Sequence, residues 1–126
     1  MEFQDKVVVV TGGAKGIGKC IAEMFQKEGA HVCIIDTEKN DYFQGDVGSQ
    51  DILEQFHQKV IDDYGHIDYL IHNAKPLFKG IEECSYDEFQ YALSVGVTAP
   101  FYLTKLFQDD FRKGGCIINI SSSRDG

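Results

Sequence analysis

The stretch that most constrains this chain is Val7-Val8-Val9-Val10-Thr11-Gly12-Gly13-Ala14-Lys15-Gly16-Ile17-Gly18. A run of β-branched residues ends in a glycine-rich turn, and an amphipathic pattern follows at once. Gly16, Ile17, Cys20, Ile21, Met24 and Phe25 recur at helical spacing. Strand, glycine turn and helix in that order form a corner suited to a pyrophosphate group. Gly12 can make the tight turn, Gly16 lets backbone approach phosphates, and Gly18 lets the helix sit close on the strand. The helix N-terminus adds free N–H donors and the positive end of a dipole.

Strand and helix patterns alternate along the rest of the chain, which predicts a parallel sheet with helices on its faces. The strands are expected at Lys6–Thr11, His31–Asp36, Asp41–Gln44, Ile67–His72 and Cys116–Ser121. The first helix should run from Gly16 to near Gly29, with Lys27 in its last turn. Ser49 can cap a second helix that buries Ile52, Phe56, Val60 and Tyr64 and stops at Gly65. Ser85-x-x-Glu88 is a capping box, opening a long helix expected to end near Gly114-Gly115. Right-handed crossovers give the strand order 3-2-1-4-5 of a doubly wound, Rossmann-like α/β sheet. The link Thr37–Asp41 is too short for a crossover helix. Either strand three is short and reached by an extended loop, or it pairs irregularly.

Composition narrows the function. At 126 residues the chain is one domain at most, and a net charge of −8 argues against a nucleic-acid surface. No apolar run approaches the roughly 20 residues of a membrane span, and Met1–Lys6 lacks the pattern of a signal peptide. The four cysteines, Cys20, Cys33, Cys84 and Cys116, form no C-x-x-C pair, and the histidines complete no metal spacing. They read as reduced thiols of a cytoplasmic protein, with Cys33 and Cys116 in the strand core. No metal is expected.

Asp36 ends the second strand about twenty residues after the glycines. A carboxylate there can accept hydrogen bonds from an adenosine ribose and would repel a 2′-phosphate, favouring NAD over NADP. Lys15 argues mildly the other way, because a cation in the glycine turn could meet that phosphate.

Together these residues resemble the short-chain dehydrogenase/reductase family, over the whole chain but only about the first half of a typical member. The glycine motif Thr11-Gly12-x-x-x-Gly16-x-Gly18 has that family's spacing. Asp46-Val47 resembles its adenine-contacting pair. Asn73-Ala74 matches the segment that stiffens the central sheet and passes the coenzyme ribose, although His72 and Lys75 depart from it. Lys75 replaces a glycine and puts the close approach in question, since residues other than glycine avoid positive φ. His72 reads as a hydrogen-bonded strand-end residue.

The resemblance also places a catalytic Ser at Ser122, with Ser121 and Ser123 as alternatives. Gly96 stands where the family has a catalytic Asn. Pro100, four residues on, has no N–H for the Gly96 carbonyl, which leaves that carbonyl to hold a relay water. The resemblance further implies coenzyme contacts at Lys15, Ile17, Thr37 and Ile120. The family's acid/base Tyr is followed four residues later by Lys, and none of the six tyrosines here has Lys at that offset. The expectation is therefore an incomplete coenzyme-binding domain spanning residues 1–126, truncated after strand five. It would come from an oxidoreductase that moves hydride between NAD(P) and an alcohol or carbonyl carbon, with little turnover alone. A non-catalytic nucleotide-binding or interaction module is the alternative. The long helix is apolar on more than one side and strand five would be an unpaired edge, so association with a second copy through either is expected. Neither nucleic acid nor membrane is an expected partner.

Overall fold

The computed structural model describes residues 2–76, 79–80 and 82–120. In chain order the elements are β1 (Val7–Thr11), α1 (Gly16–Lys27), β2 (His31–Asp36), β3 (Phe43–Gln44), α2 (Gln50–Tyr64), β4 (Ile67–His72), α3 (Tyr86–Leu93), a π-helical turn (Ser94–Thr98), α4 (Ala99–Phe107) and β5 (Phe111–Asn119). The strands form one parallel sheet in the order β3-β2-β1-β4-β5, as expected.

The valine run lies at the centre of this sheet, and its alternation feeds two cores. Val7 and Val9 join Cys33, Ile35, Leu70 and the α2 residues Leu53, Phe56 and Val60, together with Val95, Leu103 and Phe107. Val8 and Val10 point the other way, toward Ile71 and the partly buried Phe3, Ile21 and Phe25. All five β1 residues are buried because helices cover both faces of the strand.

Local chemistry sets most boundaries. Ser49 Oγ accepts the Ile52 N–H, and Gly65 ends α2 in the left-handed region at φ 77°. The capping box is complete: Ser85 Oγ accepts the Glu88 N–H at 3.1 Å and Glu88 returns the bond to the Ser85 N–H at 3.0 Å. Strand β3 is only Phe43–Gln44, shorter than the expected Asp41–Gln44, and it is reached by an extended loop. Asn40 organises that loop. Its Oδ1 accepts the Tyr42 and Phe43 N–H groups, and its Nδ2 donates to the Glu38 and Phe43 carbonyls.

The segment after Ser85 differs from the expectation. The helix ends at Phe107, not near Gly114-Gly115, and β5 begins at Phe111, not Cys116. The glycines act as a strand irregularity. Between the pairs Ile67↔Phe111 and Tyr69↔Cys116, two steps on β4 face five on β5. Gly114 takes φ 87°, and a Cβ on Gly115 would lie 2.5 Å from the Asp68 carbonyl oxygen. Cys116 is exposed, not in the core: among the described residues β5 pairs with β4 alone and is exposed along most of its length. One side of the long helical segment buries Val95, Ala99, Leu103 and Phe107, while Val97 and Phe101 are exposed.

Candidate functional site

The C-terminal ends of β1, β2 and β4 open into a cleft of about 830 Å³. In a doubly wound sheet this is where connections depart in opposite directions from the central strand, leaving a crevice. Gly12, Lys15, Gly16 and Ile17 line it from the glycine loop and the start of α1. Asp36 and Thr37 line it from the end of β2, Asp46 and Val47 from the turn after β3, and Asn73 and Ala74 from the end of β4.

The glycine loop is shaped by three contacts. Gly12 and Gly16 have φ of 67° and 60°, a region open to glycine at little cost. A Cβ on Gly16 would meet no heavy atom within 4 Å, so this backbone borders open space. Gly18 lies beneath the cleft, not in its wall. A Cβ there would fall 2.1 Å from the Gly12 carbonyl oxygen and 2.4 Å from Asn73 Nδ2. Asn73 Nδ2 occupies that space to donate to the Gly12 carbonyl at 3.0 Å. Thr11 completes the join, its Oγ1 accepting the Asn73 and Ala74 N–H groups at 2.9 Å each. Sequence reasoning gave Thr11 no role, although its place at the strand end before the glycines was visible.

Asp36 is 9% exposed and uses both carboxylate oxygens. Oδ2 accepts the Ala14 N–H and Oδ1 accepts the Glu38 N–H, each at 2.9 Å. A carboxylate offers about four acceptor positions, so capacity remains for a ribose diol. Lys15 is paired with Glu38 at 3.4 Å. Asp46 is held on both oxygens, by the Gly48 N–H at 2.8 Å and the Tyr91 hydroxyl at 2.7 Å. Burial, then the bond to Asp46, pushes the Tyr91 hydroxyl up to about 12. Tyr91 itself lines the cleft. No periodicity could have joined it to a carboxylate 45 residues away.

The remaining expected site residues stand apart. Ile120 packs with the Val8, Val10 and Ile71 cluster, and its N–H donates to the His72 carbonyl at 3.0 Å. Gly96 is exposed within the π-helical turn, where the Ala99 N–H bonds the Ser94 carbonyl, and Pro76 is its nearest neighbour. Ser122, with Ser121 and Ser123, lies outside the described residues. Lys75 does not have positive φ, so its side chain is accommodated where a glycine was expected. His72 is a buried strand-end residue, as read from the sequence, with Nε2 3.1 Å from Thr104 Oγ1. Burial pushes its imidazole down to about 4.

These residues fit a dinucleotide. Lys15 stands at the N-cap of α1 without a capping bond from its side chain, which leaves first-turn N–H groups for an anion. The open backbone at Gly16 gives that anion room. Among the described residues no group of three or more His, Cys, Asp or Glu could hold a metal ion. No described helix is long and apolar enough to cross a membrane.

Comparison with known proteins agrees with this geometry. The family model for short chain dehydrogenases matches residues 6–125. An uncharacterized oxidoreductase of Thermotoga maritima is 35% identical, the match covering 97% of this chain and 55% of that protein. An apo SCOR enzyme from Clostridium thermocellum superposes with a TM-score of 0.86 at 38% identity, covering 94% of this chain and 54% of that one. A blue fluorescent protein from a metagenomic library, solved in complex with NADPH, superposes with a TM-score of 0.89 at 25% identity, covering 98% of this chain and 58% of that one. The chain spans about half the length of the curated relatives it matches. With sheet order, glycine loop and family match in agreement, the chain belongs to the short-chain dehydrogenase family.

Proposed function

We propose that this chain forms the coenzyme-binding part of an NAD(P)-dependent oxidoreductase, with NAD as its preferred coenzyme. The observation that carries the reading is Asp36, a buried carboxylate at the end of β2 that borders the cleft and holds the glycine loop through Ala14. Its unused acceptor positions suit the two hydroxyls of an adenosine ribose, and its charge opposes a 2′-phosphate. The Gly12–Gly18 loop and the α1 N-terminus would take the pyrophosphate. Asp46 and Val47 would border the adenine, and Asn73 and Ala74 the second ribose. When bound, the nicotinamide ring donates or accepts the hydride exchanged with an alcohol or carbonyl carbon.

The Ser122 hydroxyl would hydrogen-bond the substrate oxygen. The Gly96 carbonyl would hold a water, since Pro100 provides no N–H four residues on. The family match supports an oxidoreductase over a non-catalytic module. The NADPH held by the metagenomic relative keeps the phosphorylated coenzyme as the competing choice, and Asp36 favours NAD. Exposed Val97 and Phe101 support pairing with a second copy through the long helical segment.

The test is a titration of NADH and NADPH followed by coenzyme fluorescence, on the wild type and on Asp36→Ala. Saturable binding that prefers NADH, weakened at least about tenfold by the substitution, is the expected result. Absence of saturable binding to either coenzyme would overturn the reading.

A further inference from the structure

Tyr91 belongs to α3, yet its side chain is committed to the turn after β3. Its hydroxyl donates to Asp46 Oδ2 at 2.7 Å. Its ring lies against Gly48, where a Cβ would come within 3.0 Å of Tyr91 Cε1. Gly48 completes the arrangement from the turn, its N–H donating to Asp46 Oδ1 at 2.8 Å. Among the described residues no other group donates to the Asp46 carboxylate. The Gly48 bond is local, two residues along the chain, whereas the Tyr91 bond ties the turn to a separate helix. Val95, four residues after Tyr91, is buried and lines the same cleft, so the helical face that carries Tyr91 is anchored there.

We propose that Tyr91 is a positioning residue for base recognition: by holding Asp46 Oδ2 it fixes the carboxylate so that the cleft selects a purine with a 6-amino group over one with a 6-carbonyl. This rests on the reading of the cleft as a coenzyme site with the base bordered by Asp46 and Val47. A carboxylate accepts at about four positions and donates at none. The bonds from Gly48 and Tyr91 use one position on each oxygen, and those left can take an amino N–H. A carbonyl oxygen in the same place sets acceptor against acceptor and forfeits that bond. Burial, then the bond to Asp46, keeps the Tyr91 proton on its oxygen up to about pH 12, so the hydroxyl stays a donor across the neutral range. Without that hydroxyl the Gly48 N–H alone holds the carboxylate, which is then free to turn away from the base. Tyr91→Phe separates the two roles of the side chain, because the ring stays on Gly48 and only the donor is lost.

The test measures dissociation constants by fluorescence titration for NADH and for its reduced hypoxanthine analogue, in which a carbonyl replaces the 6-amino group. The proteins are wild type, Tyr91→Phe, Asp46→Ala and the double variant, with thermal melts confirming that each is folded. Wild type should prefer NADH by about tenfold or more, the worth of one hydrogen bond to a charged acceptor. Tyr91→Phe should narrow that preference to about threefold or less through weaker NADH binding, with the analogue bound nearly as before. Asp46→Ala should abolish the preference, and adding Tyr91→Phe should change it no further. Equal weakening of both ligands in Tyr91→Phe overturns the proposal, since the tyrosine would then only support the cleft wall. An unchanged ratio in that variant, or a wild type with no preference between the two bases, overturns it as well. So does a ratio that still responds to Tyr91→Phe once Asp46 is removed. Wild-type protein that binds neither ligand would overturn the reading of the cleft itself, a result distinct from all of these.

Discussion

Acid should destabilise this fold through His72 in a pH window that lies above that of the buried Asp68. The imidazole is 7% exposed and sits beneath α4 at the end of β4, with Thr104 Oγ1 3.1 Å from its Nε2. Burial lowers its pKa from 6.5 to about 4. Below pH 6.5 the unfolded chain takes up a proton that the folded chain refuses until about pH 4. The neutral imidazole's stabilisation is therefore fully present above pH 6.5 and is lost as pH falls toward 4. At about 1.4 kcal/mol per pKa unit the full effect is about 3 kcal/mol, and roughly 2.5 kcal/mol is lost by pH 4.5. Burial alone would raise Asp68, but bonds from Arg112 and the Val7 N–H outweigh it and hold that carboxyl below its ordinary value of 3.8. Its stabilisation is present above pH 3.8 and falls away only below that, outside the His72 window. The assay is urea unfolding at pH 7.0 and 4.5 for wild type and His72→Gln, whose amide can still reach Thr104 but does not titrate. Wild type should lose about 2 kcal/mol more than the variant between the two pH values. Equal losses would refute the assignment of a buried neutral imidazole.

Three further substitutions probe the cleft and its scaffold. Gly18→Ala sets a methyl against the Gly12 carbonyl oxygen, 2.1 Å away on rigid backbone, and should cost about 1–3 kcal/mol in urea unfolding and abolish NADH binding. Gly16→Ala meets no neighbour but must adopt φ 60°, so about 1 kcal/mol of strain should appear in the melt with the fold retained. Asp68→Asn weakens a 2%-exposed carboxylate that accepts from the Val7 N–H and twice from Arg112. It should cost about 2 kcal/mol in unfolding while leaving coenzyme affinity near wild type, since the contact lies at the opposite end of the strands from the cleft.

What the sequence made legible is what local chemistry decides. The Val7–Val10 run, the glycine spacing, Ser49, Gly65 and the Ser85–Glu88 box each act within a few residues, and each element they imply is present. Sheet order followed from crossover handedness. The boundary between α4 and β5 was not legible, because Gly114-Gly115 suits a helix stop and a strand irregularity equally. Only the pairing of β5 with β4, which brings Gly115 against the Asp68 carbonyl, selects between them. Cys116 has the pattern of a core residue, but among the described residues only β4 pairs with its strand, and it is exposed. Within the site, Asp36 was legible from its distance to the glycines. Its partners Ala14 and Glu38, and the Tyr91 hydroxyl on Asp46, were not, since those contacts exist only once loops from different strands converge.

The claim that the cleft holds a dinucleotide is tested most directly by amide hydrogen exchange with and without saturating NADH. Protection should rise at Gly12–Gly18, at Asp36 and Thr37, at Asp46 and Val47, and at Asn73 and Ala74, with little change along the exposed edge strand β5. Protection confined to other surfaces, or no change in these four segments at saturation, would contradict it.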